Sequence, residues 1–78
     1  IRFMVHKNFE HHFLNNKIHH SQKHEMVYND LIVSIKCYIT KELIAKILSY
    51  GHNITIISPQ ELIEKLNKEI DLIKKNYI

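Results

Sequence analysis

Leu31 to Ile39 is the clearest strand in this chain. Leu31, Val33, Ile35, Cys37 and Ile39 fall on one side, and Ile32, Ser34, Lys36 and Tyr38 on the other. Period-two alternation rich in β-branched residues reads as a strand with one apolar face and one mixed face. Such a strand needs neighbours in a sheet, and its apolar face needs a second layer. All of this must come from 78 residues. A domain that small buries only about 60% of its unfolded surface, which leaves room for one core between two thin layers. An enzyme with separate cofactor and substrate domains is excluded.

The remaining segments supply the partners. Ile1 to Lys7 alternates as well, with Ile1, Phe3 and Val5 opposed to Arg2, Met4 and His6. Asn8 predicts a cap for a short helix to about Asn15, buried through Phe9, Phe13 and Leu14. Lys17 to Lys23 is polar and reads as a loop or a ragged edge strand. Glu25 to Tyr28 reads as a strand, and Asn29-Asp30 tolerates the positive φ of a tight hairpin. Thr40 predicts the cap of a second helix, with Glu42 near its positive end and Leu43, Ile44, Ile47 and Leu48 as its stripe. Gly51 stands where a left-handed stop is expected. After a short strand, Ile54 to Ile57, the run Ser58-Pro59-Gln60-Glu61 reads as a capping box with proline at the first helical position. The helix it opens runs to about Tyr77 through Leu62, Leu66, Ile70 and Ile73. Glu61–Lys65, Glu64–Lys68 and Asp71–Lys75 are spaced to pair along its outer side.

The order β-α-β-β-α-β plus a helix predicts an α+β fold. The economical form is a ferredoxin-like sandwich with a four-stranded antiparallel sheet and an added C-terminal helix. Strands one and three are central, and two helices cover the face of Phe3, Val5, Val33, Ile35, Ile54 and Ile56. The opposite face stays open unless the last helix returns over it.

Composition narrows the function. The chain is 45% hydrophobic and 24% charged, as ordinary globular domains are. The single cysteine excludes an internal disulfide and fits a reducing, cytoplasmic setting. No apolar run approaches the ~20 residues that span a bilayer, so no membrane partner is expected. Arg2, His6 and Lys7 interrupt any signal-peptide pattern. Because the chain opens on Ile1, it reads as a piece of a longer protein. The formal charge of +3 is lower than dedicated duplex-binding modules concentrate on one face.

Candidate chemistry is sparse. His20 and His24 are four apart beside His19, a spacing that binds zinc on a helix. This segment precedes a strand, so it reads as a solvated loop, and no metal or cofactor is assigned. A site closed by Cys37 and His52 stays open at this level. Cys37 lies on an apolar face and behaves as a small hydrophobe. Glu61, Glu64, Glu69 and Asp71 read as the solvated face of a helix. One glycine leaves no phosphate-cradling loop. No nucleophile–base pair emerges, so the chain is not expected to be an enzyme. The open face is the richer surface. Met4, Ile32, Ile57 and Tyr38 make a docking patch there. An RNA-recognition module shares this topology, but of its stacking aromatics only Tyr38 has a counterpart. For a single-stranded nucleic acid or nucleotide, the candidate ligand-binding residues are Arg2, His6, Lys36 and Tyr38, which combine charge with one stacking ring.

Several motifs also fall in a familiar order. His19-His20-Ser21-Gln22 matches an H-x-S-Q element before the second strand. Glu42-Leu43, then Ile47-Leu48-Ser49-Tyr50-Gly51, match E-L at the start and I-L-x-[FYW]-G at the close of a helix. Ser58-Pro59 with Leu62 matches an L-x-P-x-x-L junction, and Tyr77 follows at the end of a long helix. Together these resemble the C-terminal extension, WCX, of bacterial-type WYL-domain transcriptional regulators, over nearly all of residues 1–78. The departures are the absence of tryptophan and Asn29-Asp30 where the hairpin usually holds glycine. The resemblance implies one WCX-like domain of a longer regulator with an N-terminal winged helix-turn-helix and a central WYL domain. It implies a non-catalytic role in dimerisation and effector sensing, the effector often being a nucleic acid or nucleotide. The implied partners are the WYL domain of the same chain and a second copy of the full-length regulator. Duplex DNA would be read only by the winged helix, outside this sequence. A second reading is a stand-alone ACT-like small-molecule-binding domain, which shares the topology but uses a glycine-containing ligand loop that this sequence does not offer.

Overall fold

The computed structural model describes residues 1–77; Ile78, the last residue of the expected domain, lies outside them. The elements follow the order β1 (Arg2–Val5), α1 (Glu10–Asn15), β2 (Lys23–Val27), β3 (Asp30–Ser34), α2 (Lys41–Leu48), β4 (Ile54–Ser58) and α3 (Gln60–Lys74). Short 3-10 turns, Lys7–Phe9 and Gly51–Asn53, precede α1 and β4. The strands form one antiparallel sheet in the order β2-β3-β1-β4. The fold is α+β and ferredoxin-like, with β1 and β3 central and a C-terminal helix added.

Register explains the core. Phe3 stands opposite Val33 and Ile56, and Val5 opposite Leu31 and Ile54, so one face gathers the large apolar side chains. Phe3 and Val33 are fully buried, and Val5, Leu31 and Ile35 nearly so. α1 closes this face with Phe13, whose ring meets Phe3 edge-on at 5.3 Å and Tyr50 at 5.0 Å. Ile47 from α2 joins Leu62 and Leu66 from α3 in a second cluster, packed against Ile54 and Ile56. α3 therefore extends the helical layer beside β4, and no described element covers the opposite face. On that face Ile32 is flanked across the strands by Met4 and Glu25, and it is buried without a helix above it. The radius of gyration, 12.9 Å, exceeds the roughly 11–12 Å of a compact chain this long, because α3 projects past the core after Leu66.

Several local expectations need correction. β3 stops at Ser34 rather than Ile39, because β2 begins only at Lys23 and offers no ladder beyond. Ile35 pairs instead with Ile1, each N–H donating to the other's carbonyl at 2.9–3.0 Å. The hairpin turn is Tyr28-Asn29, one residue earlier than expected, since Val27 pairs with Asp30. The inward residues Leu31 and Val33 set the register, and the turn has to follow. Tyr28, not Asn29, takes the positive φ, 58°. Asn8 lies within a 3-10 turn and caps nothing; α1 begins after Phe9 without a side-chain cap. The capping box does not form either. Ser58 is the last residue of β4, paired with Arg2, and Pro59 is the N-cap, its carbonyl accepting from Leu62 and Ile63. Thr40 and Gly51 do act as expected: Thr40 Oγ1 accepts from the Leu43 N–H at 3.1 Å, and Gly51 has φ 60°. α3 ends at Lys74, short of Tyr77, and of its three spaced pairs Glu61–Lys65 comes within 3.9 Å.

Candidate functional site

The H-x-S-Q element is a staple, and it shapes the recesses around it. Ser21 Oγ accepts from the Lys36 N–H at 2.7 Å and lies 3.2 Å from the Lys36 carbonyl. One hydroxyl thus does for Lys36 what a neighbouring strand does elsewhere. The Ser21 N–H donates to His19 Nδ1 at 3.1 Å, so the ring proton of His19 sits on Nε2. Gln22 is buried: its Nε2 donates to the Phe13 carbonyl at 3.3 Å, and its Oε1 accepts from the Ile18 N–H at 2.9 Å. Gln22 Nε2 also meets His24 Nε2 at 2.8 Å, which makes that ring nitrogen an acceptor. The loop from α1 to β2 is thereby fixed against both α1 and the chain beyond β3.

That loop forms one wall of a cleft of about 570 Å³. His19 and His20 face it from the loop, Lys36 and Tyr38 from the segment after β3, and Lys46 from α2. Glu42 is the one carboxylate in its lining, and Thr40 places the first turn of α2 at its edge. The imidazoles of His19 and His20 lie 4.2 Å apart. Tyr38 is 90% exposed and lines the cleft together with Lys36 and Lys46. Lys46 Nζ sits 5.7 Å from the Tyr50 ring centre. A second recess of about 520 Å³ adjoins the first through Lys36 and includes Arg2, Lys23 and Ser21.

Of the four candidate ligand residues, three come together. Lys36 shares the cleft with Tyr38 and the second recess with Arg2. Arg2 is tied to Glu25 by a 3.0 Å ion pair. His6 stands apart, just past the end of β1 and four residues from Arg2, or roughly 13 Å at strand rise. Its N–H donates to the Asn53 carbonyl at 2.9 Å, and its ring faces His52 at 6.3 Å. Lys36 and Tyr38 lie past the end of β3, not on the open sheet face. The sequence reading weighs His19 and His20 only for zinc and does not place them or Lys46 among the ligand-binding candidates. The H-x-S-Q motif was the signal for the first two, read as a solvated loop.

Other candidates are accounted for structurally. Cys37 is half-buried against the main core. Among the described residues no three His, Cys, Asp or Glu side chains converge as metal ligands, so His20, His24, Cys37 and His52 do not close a zinc site. Tyr50 is buried among Phe9, His12 and Phe13, and its hydroxyl has no hydrogen-bond partner. Burial pushes its phenol above the ordinary 10.0. No described helix is long and apolar enough to cross a membrane. No protein-family model matches the chain, and no curated protein matches it.

Proposed function

We propose that this chain is a non-catalytic regulatory and dimerisation module of a WYL-type transcriptional regulator, contributing to effector sensing in the cytoplasm. One observation carries the reading: the residues of the WCX resemblance fall on the joints of the fold. Ser21 and Gln22 of the H-x-S-Q element staple the loop before β2. Tyr50 fills the aromatic core and Gly51 makes the left-handed stop after α2. Ser58-Pro59 joins β4 to α3, and Leu62 is fully buried at the helix interface. These placements support the reading.

The surfaces agree with such a role. The uncovered sheet face and the projecting end of α3, with Ile70, Ile73 and Tyr77 exposed, leave room for a WYL domain and a second copy. The ACT-like reading has less support, since Gly51 ends a helix and does not line the cleft beside Tyr38. The coding sequence upstream of Ile1 tests the proposal. A winged helix followed by a WYL domain is the expected result, and an in-frame start directly before Ile1 contradicts it. Duplex DNA should not be retarded by this chain alone; tight duplex binding would assign DNA reading to the wrong module.

A further inference from the structure

We propose that the H-x-S-Q loop is an acid-sensitive latch, closed while His24 and His19 are neutral and opened when they take up protons. The inference goes beyond the regulator reading and does not depend on it.

The lock is Gln22. Two backbone groups hold its side-chain amide in one orientation: the Ile18 N–H donates to Oε1, and Nε2 donates to the Phe13 carbonyl. That carbonyl belongs to the last turn of α1, where the helix supplies no partner of its own. Nε2 has one hydrogen left for His24 Nε2, 2.8 Å away. A proton on that ring nitrogen sets donor against donor. Turning the amide to offer Oε1 instead would leave both the Ile18 N–H and the Phe13 carbonyl unpaired, around a residue only 6% exposed. His19 repeats the arrangement on the other side of the loop. Its Nδ1 accepts from the Ser21 N–H at 3.1 Å and lies 2.7 Å from the Ser21 hydroxyl, which in turn accepts from the Lys36 N–H. Protonation of Nδ1 again opposes two donors.

The surroundings do not compensate the added charge. Among the described residues no imidazole lies within ion-pair distance of a carboxylate. His19 has the His20 ring 4.2 Å away, and Lys36 from the segment after β3 and Lys46 from α2 share its cleft, where Glu42 is the one acid. His24 follows Lys23 on β2, Glu25 after it is paired with Arg2 of β1, and β3 adds the neutral Ser34 to the same recess. α1 carries His11 and His12 and a single acid, Glu10, which reaches neither ring. The closed loop therefore holds fewer protons than the open one. Acid favours opening as pH falls below the ordinary imidazole value of about 6.5. Opening frees the wall that carries His19 and His20 from α1 and from Lys36, so the cleft is built at neutral pH and unmade in acid.

Amide hydrogen exchange of the 78-residue chain tests the proposal, read by NMR from about pH 7.5 to about pH 5 and corrected for intrinsic rates. Protection of the Ile18 and Lys36 N–H groups should fall roughly three- to tenfold in acid, the range one hydrogen bond spans. The amides of the central strands β1 and β3 should stay protected. The fall at Ile18 should follow the ring titration of His24, and the fall at Lys36 that of His19. His24→Gln and His19→Asn set an amide oxygen where Nε2 and Nδ1 stand, so they can accept the same bonds and take up no proton. The double variant should keep both N–H groups protected in acid, and His6→Gln, outside the loop, should behave as the parent chain. Unchanged protection in the parent, opening that tracks another histidine, a double variant that opens as the parent does, or equal losses in β1 and β3 overturns the proposal. Amide dispersion at neutral pH checks that the double variant is folded, and the parent titration decides the matter without it.

Discussion

At the scale of single residues, the chain's polar side chains explain more than its charges do. Ser21 and Gln22 carry out work that the strand ladder leaves undone. Replacing Ser21 by alanine leaves the exposed Lys36 N–H to water, an expected loss of about 0.5–1.5 kcal/mol in chemical denaturation. Tyr50 is the opposite case, because its buried hydroxyl has no partner. Tyr50→Phe should therefore raise the denaturation midpoint, and a marked fall in the midpoint would show that the hydroxyl is satisfied after all. The pH dependence has a definite sign. Above the ordinary tyrosine value of 10.0 the unfolded chain gives up this proton while the folded chain, with its raised value, still holds it. The unfolded state then binds fewer protons, so stability falls as pH rises from about 10, and Tyr50→Phe should lack that component of the decline. Gly51 has open space where a Cβ would go, so Gly51→Ala meets only the left-handed backbone penalty, about 1–2 kcal/mol.

At the scale of elements, what the sequence made legible depended on whether one residue or a partner strand decided the outcome. The Thr40 cap and the Gly51 stop are local, and both stand where reading placed them. Thr40→Ala should cost about 1 kcal/mol of stability, read as a lower unfolding midpoint. The hairpin turn and the end of β3 are set by pairing, and both differ. Tyr28 holds a left-handed conformation because the register demands it, against its own preference. Ser58 reads as a helix cap in isolation, but β4 takes it first. The candidate site was half legible for the same reason. Lys36 and Tyr38 were singled out from strand alternation, yet they leave the sheet and meet His19, His20 and Lys46 through a side-chain staple that no periodicity announces. α3 divides into two halves. Leu62→Ala, at a fully buried position, should destabilise by about 2–5 kcal/mol, whereas Ile70→Lys, beyond the core, should leave the fold nearly unchanged.

At the scale of the whole molecule, the layers are unequal. α1, α2 and α3 all lie on one side of the sheet, and Met4, Ile32 and Ile57 stay on the side left bare. The clearest strand in the sequence called for a sheet with one covered face, and the fold has that sheet. It also leaves the other face and the far end of α3 for something larger. The regulator reading gives those surfaces a purpose in self-association and in contact with a WYL domain. Sedimentation equilibrium of this chain over a wide concentration range tests that reading most directly. A concentration-dependent monomer–dimer equilibrium is the predicted result; a strict monomer at the highest concentration would contradict it.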